Sequence, residues 1–191
     1  MNVPGVIYER KNWMVHLPGY DKNKLVFIDG SGVNTDLARI YGRAIDGKRC
    51  DGKVPLNTPQ NTTILSSVRY NGETVYTVYQ CGTTSDKFAG YLKNKPAPGL
   101  HKDDIVIMDN MRTHHPKEVK KIIEELKINV VYLTPYSPGF NPIEKMWPEI
   151  KSVLRKLKVR VLESLPDAIK YSFSMVCESD YQGWFHSCFI Y

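Results

Sequence analysis

Three acidic residues stand where carboxylates can do chemistry. Asp29 closes the run KLVFID (24–29), and Asp109 closes the apolar part of DIVIMDN (104–110). Both runs are short and apolar and lead into an acid, as buried strands do. In an open α/β sheet, ligands collect beyond the carboxyl ends of such strands. Glu144 lies in PYSPGFNPIEKMW (135–147), which packs three prolines and a glycine into its first eight residues. Taken singly, each acid has a plain structural reading. A strand-end aspartate caps a turn, and Glu144 occupies the third position of a helix whose N-cap is Asn141 and whose first residue is Pro142. From there it can fold back as in a capping box. Taken together, three converging carboxylates repel one another strongly unless cations neutralise them. Hard divalent ions with oxygen ligands, chiefly Mg²⁺ or Mn²⁺, answer that need. Two such ions about 4 Å apart activate a water or a 3′-hydroxyl and stabilise the leaving oxygen in phosphodiester chemistry.

The elements that must position these acids follow from the pattern of the chain. Residues 1–23 read as an irregular lead-in, and residues 42–60 (GRAIDGKRCDGKVPLNTPQN) as a loop or loose hairpin. TTILSSVRY (62–70) and ETVYTVYQ (73–80) are β-branched and aromatic and meet at Asn71-Gly72, a strong hairpin signal. Helical patterns cover 85–93, 117–126, 142 to about 157, and about 162 to 175, with a further strand at 128–133. Strand, hairpin, helix, strand, helix, strand, helix is a mixed α/β order. It predicts one sheet flanked by helices. Pro148 lies inside the helix that carries Glu144, removes the N–H that would bond the Glu144 carbonyl, and is expected to kink the helix.

At 191 residues and 42 % hydrophobic, the chain is expected to form a single domain over 1–191 with a full core. Its formal charge of +6 and pI near 9.0 favour a polyanionic partner. Between Asn141 and Arg160 six basic residues (Lys145, Lys151, Arg155, Lys156, Lys158, Arg160) face two glutamates, a segment that either contacts phosphates or forms a solvated basic face. Four cysteines without a C-x-x-C pair argue against a zinc ribbon or a disulfide scaffold and suit a reducing cytoplasm. No run of about 18 apolar residues marks a membrane span. The adjacent His114-His115 has no other His or Cys nearby and reads as polar packing. The aromatic end YQGWFHSCFIY (181–191) reads as packing against the sheet.

VFIDGSGVN, YGRAIDGKRC, IVIMDNMRTHH and LTPYSPGFNPIEKMW, in this order, resemble the catalytic domain of mariner-superfamily DDE transposases, particularly the bacterial insertion-sequence branch. The similarity spans roughly residues 10–190. Its most specific part is Asp109-Asn110, followed after 34 intervening residues by Glu144 inside the Ser-Pro-x-x-Asn-Pro-Ile-Glu motif. The resemblance implies an RNase H-like fold, two Mg²⁺ ions (with Mn²⁺ able to substitute), cutting at transposon ends and joining of the 3′-OH to target DNA. It places Asp29, Asp109 and Glu144 as the metal-binding catalytic triad, with Asn110, His114 and Asn141 shaping the site. Partners would be transposon-end and target DNA, together with a second copy or a partner transposase chain. The family's N-terminal helix-turn-helix domain is absent from the sequence. The chain is therefore expected to be the second frame of a split transposase, or else a truncated remnant that binds DNA or dimerises and modulates an intact enzyme. Family members usually carry an acid directly after the first aspartate; Gly30 stands there in this chain, which implies weaker support for Asp29.

Overall fold

The computed structural model describes residues 19–38, 42–51, 53, 61–96, 99–109, 117–134 and 138–189. Five strands, β1 (Leu25–Val33), β2 (Thr62–Arg69), β3 (Thr74–Gln80), β4 (Ile105–Met108) and β5 (Asn129–Tyr132), form one sheet in the order β3-β2-β1-β4-β5. β2 runs antiparallel to both β1 and β3, and β4 and β5 run parallel to β1. The helices are α1 (Ser85–Asn94), α2 (Lys117–Glu125), α3 (Pro142–Leu157), α4 (Leu165–Ser174) and α5 (Glu178–Phe189). The mixed sheet flanked by helices is an RNase H-like fold. Residues 1–18, 54–60 and 135–137 and the site candidates Asn110, His114 and His115 lie outside the described residues, so the lead-in, part of the 42–60 loop and those candidates are not placed. Among the described residues no helix is long and apolar enough to cross a membrane, and the four cysteines are free.

Strand periodicity sorts the core into two layers. Leu25 and Phe27 of β1 and Ile107 of β4 join α3, α4 and α5 through Met146, Ile150, Leu154, Ile169 and Phe185. The intervening Val26, Ile28, Val106 and Met108 join α1 and α2 through Phe88, Leu92 and Val119. Because successive side chains alternate faces, Asp29 and Asp109 both fall on the α3 side. α1 is capped by Thr84, whose hydroxyl accepts from the Lys87 N–H, and α3 by Asn141, whose Oδ1 accepts from the Ile143 N–H.

Several sequence expectations are refined. β1 does not end at its aspartate: it continues four residues further, to Val33, because β2 pairs with it along that whole length, Asp29 opposite Ser66. What ends near Asp29 is β4, whose last pair is Met108 with Ile28. The hairpin turn is wider than Asn-Gly alone. Arg69 N–H bonds the Glu73 carbonyl and Gly72 N–H bonds the Arg69 carbonyl, with Gly72 at φ +85°. That is a three-residue turn closed by a left-handed glycine. α3 runs unbroken through Pro148, so the expected kink does not interrupt it. The helix predicted from about 162 opens as a 3₁₀ turn (Leu162–Ser164) before α4, and the aromatic C-terminus is a helix, α5. Its Phe185 meets Phe27 edge-on at 5.3 Å between ring centres.

Candidate active site

The site is built where β1 outlives β4. Register pairs Ile28 with Met108, so the next residue on each strand is an aspartate on the same face. α3 lies across that face and brings Glu144 and Trp147, one helical turn apart, to the two strands. Asp29 is 7 % exposed. Its Oδ1 accepts from the Gly30 N–H at 2.7 Å and its Oδ2 from the Trp147 indole N–H at 3.0 Å. Each oxygen keeps a further lone pair for another partner.

Electrostatics register the approach of the three acids. Burial, and then the charge of Glu144, push the Asp29 carboxyl up to about 7; Asp109 adds to the rise, while the bonds from Trp147 and Gly30 oppose it. Glu144 is raised as well, first by the protein packed around its carboxyl and then by Asp109, with Lys151 pulling it down. The Glu144 residue as a whole is exposed. The capping and ligand readings of Glu144 are separable here. The N-cap bond runs from Ile143 N–H to the Asn141 side chain, and among the described residues the Glu144 carboxylate makes no return bond to Asn141. Asn141 itself is buried, 3 % exposed.

The donor set of Asp29, Asp109 and Glu144 is all carboxylate oxygen, which suits a hard divalent cation and no soft one. The raised Asp29 is what such a site looks like before a positive charge arrives. In this conformation, among the described residues, no group of three His, Cys, Asp or Glu is gathered to hold a metal ion. The donors therefore fit the group by chemistry and charge, and would have to draw closer to share it.

Gly30 supports Asp29 differently from the way an acid would. Its side-chain position faces the opposite layer, and an added Cβ would come within 2.9 Å of Leu65 Cδ2. A carboxylate at position 30 would thus point away from Asp29, and the Gly30 N–H does the supporting instead. Trp147 is the contributor that sequence reasoning passed over. Its signal was available: it sits three residues after Glu144, on the helix face that must meet the strands.

The six basic residues do not share one role. At about 3.6 residues per turn, Glu144, Lys151, Arg155 and Lys158 line up along one stripe of α3 and its cap, while Lys145, Glu149 and Lys156 form the neighbouring stripe. Lys145 Nζ donates to the Ser187 hydroxyl of α5, and Arg160 donates to the carbonyls of Thr35 and Leu37 at 2.7 and 3.1 Å. Lys156 and Lys158 are exposed.

The fold has close structural relatives of low sequence identity. The Mos1 transposase paired-end complex with left transposon end matches at a TM-score of 0.78 and 15 % identity, covering 96 % of this chain and 59 % of that one. The catalytic domain of Mos1 mariner transposase matches at 0.68 and 13 %, covering 96 % and 85 %. The mariner Mos1 paired-end complex with Mg matches at 0.74 and 12 %, covering 99 % and 60 %. The chain thus spans about three-fifths of the longer Mos1 chains. No curated protein matches the sequence. The family model of the DDE superfamily endonuclease matches residues 24–166, which run from the start of β1 into α4 and include all three acids. The chain belongs to the DDE superfamily endonuclease family.

Proposed function

We propose that this chain is the catalytic domain of a DNA transposase of the mariner superfamily, bacterial insertion-sequence branch, acting in the cytoplasm. It would cleave DNA at transposon ends and join the freed 3′-hydroxyl to target DNA. One observation carries the reading: where β4 ends beside the parallel β1, the buried Asp29 feels the charges of both Glu144 and Asp109. The solved Mos1 complexes, with transposon-end DNA and with Mg, support the same assignment by analogy of fold.

In this reading Asp29, Asp109 and Glu144 would hold two divalent cations, Mg²⁺ or Mn²⁺. When bound, these supply Lewis acidity for the attacking and leaving oxygens of an in-line displacement. The chain's own residues do the rest. Trp147 and Gly30 orient the Asp29 carboxylate and favour its ionised form. Asn141 anchors the start of α3 and so aims Glu144, and Lys151 moderates the charge of Glu144. Asn110 and His114 would border the site. The exposed Lys156 and Lys158, with Lys151 and Arg155, would meet DNA phosphates, which position the duplex without reading its sequence.

The test pairs thermal melting, with and without Mg²⁺, with strand transfer on pre-cut transposon-end DNA, for the wild type and Asp109→Asn. The wild type is expected to gain stability from Mg²⁺ and to join DNA ends. Asp109→Asn should fold, lose most of the Mg²⁺ gain, and fall by orders of magnitude in strand transfer. A wild type that gains nothing from Mg²⁺ and matches the variant's inactivity would make the chain a non-catalytic DNA-binding remnant. Normal strand transfer by the variant would remove Asp109 from the triad.

A further inference from the structure

β3 is an edge strand with an unusual edge. Seven residues long, TVYTVYQ carries no charge, whereas edges are normally blunted by charges, prolines, bulges or short length. Its only strand partner among the described residues is β2. The ladder shows which backbone groups remain. Arg69 N–H bonds the Glu73 carbonyl and Cys81 N–H bonds the Asn61 carbonyl, so the odd-numbered residues of this strand turn their backbone groups inward. Thr74, Tyr76, Val78 and Gln80 therefore turn theirs outward. The Gln80 carbonyl confirms the sense, since it accepts from Lys87 Nζ at 3.0 Å.

We infer that this edge pairs antiparallel with the same edge of a second copy of the chain, centred on Thr77, joining two five-stranded sheets into one continuous sheet. The sequence is self-complementary in that register. Tyr76 falls opposite Val78 of the second copy, and Val75 opposite Tyr79, each an aromatic with a β-branched residue. Thr77 falls opposite itself. These are cross-strand pairs that stabilise sheets. The outward groups of Tyr76 and Val78 then exchange hydrogen bonds in two symmetric pairs. Thr77 sits between them in a non-hydrogen-bonded position, where side chains approach most closely. Glu73 of one copy comes opposite Cys81 of the other, beside the Lys87 that reaches the Gln80 and Gly82 carbonyls.

Sedimentation velocity across the micromolar range tests the pairing on the full chain without DNA. A dimer that dissociates on dilution is expected. Val78→Pro removes an outward N–H without touching the β2 ladder, and should yield a folded monomer. Thr77→Cys gives an independent readout, because a non-hydrogen-bonded pair has the short Cα separation a disulfide needs. Mild oxidation should link Cys at 77 to Cys at 77, mapped by peptide mass spectrometry against the exposed Cys50, Cys81 and Cys177. The Cys variant decides the matter if the proline variant fails to fold. A chain that stays monomeric, a dimer that survives Val78→Pro, or oxidation that never joins position 77 to itself would each overturn the inference.

Discussion

The indole N–H of Trp147 donates to Asp29 Oδ2 at 3.0 Å, tying α3 to the central strand across 118 residues of sequence. The bond favours the ionised carboxylate against burial and against the neighbouring Glu144. It also fixes where Glu144 can stand, because both side chains leave the same helix three residues apart. One hydrogen bond thus couples the charge state of one acid to the placement of another.

Replacing Trp147 by Phe keeps most of the packing and deletes that donor. A hydrogen bond to a charged group contributes about 1–3 kcal/mol, so a stability loss of that size is expected where Asp29 is ionised. At pH 5 Asp29 is largely protonated and the loss should shrink. The Asp29 carboxyl should titrate above its present value of about 7. Urea melts of both proteins at pH 5 and pH 8, with carboxyl-detected NMR titration, measure both effects. An equal loss at the two pH values would mean the indole matters only for packing.

The pH dependence of the metal-free protein has a definite sign. Asp29 titrates near 7 in the fold against 3.8 as an ordinary carboxyl, so the folded state holds the proton longer. Stability should therefore fall as pH rises from about 4 to 7, by an amount on the order of 4 kcal/mol if Asp29 acted alone. Glu144, also raised, pushes the same way. Asp104 opposes it only at lower pH. Its carboxyl is buried, yet the Arg69 guanidinium and the His101 N–H hold it below the usual range, so its contribution is lost as pH drops. Mg²⁺ should recover what Asp29 loses, raising the melting temperature more at pH 8 than at pH 5. A metal-free protein whose stability climbs steadily from pH 4 to pH 8 would exclude a proton held on Asp29.

The fold was largely readable because its signals are local. The apolar runs Leu-Val-Phe-Ile at 25–28 and Ile-Val-Ile-Met at 105–108, Asn-Pro opening α3, and a glycine in the 70–72 turn each dictate conformation within a few residues. The two aspartates were readable for a related reason: strand parity puts them on one face once β1 and β4 are neighbours. The contribution of Trp147 was only half legible: its three-residue spacing from Glu144 puts it on the right helix face, but its bond to Asp29 depends on how α3 rolls against β1. Nor did the sequence reveal that β1 continues past Asp29. That extension exists only because β2 offers a partner as far as Val33. α5 was hidden by composition, since its aromatic residues suggest packing before they suggest helix, and Gly183 weakens the helical pattern further.

The basic residues of α3 should separate into two classes on mutation. Lys156 and Lys158 are exposed, and Lys158 closes the helix in a left-handed conformation, φ +52°. Changing both to Ala removes charge with little loss of packing. Weak, sequence-indifferent DNA binding should drop, and the slope of log K against log salt should become shallower by about one for each phosphate that is no longer neutralised. Arg160 differs, because its guanidinium already spans two backbone carbonyls in the segment after β1, at Thr35 and Leu37. Arg160→Ala leaves those carbonyls without their charged donor and should cost about 1–3 kcal/mol of stability, with a smaller effect on DNA affinity at a temperature where the variant is folded. Fluorescence anisotropy over a salt series, alongside melting curves, separates the classes. If Arg160→Ala flattens the salt slope as much as the double lysine variant while melting like the wild type, the guanidinium is a phosphate ligand, and its bonds to Thr35 and Leu37 yield when DNA arrives.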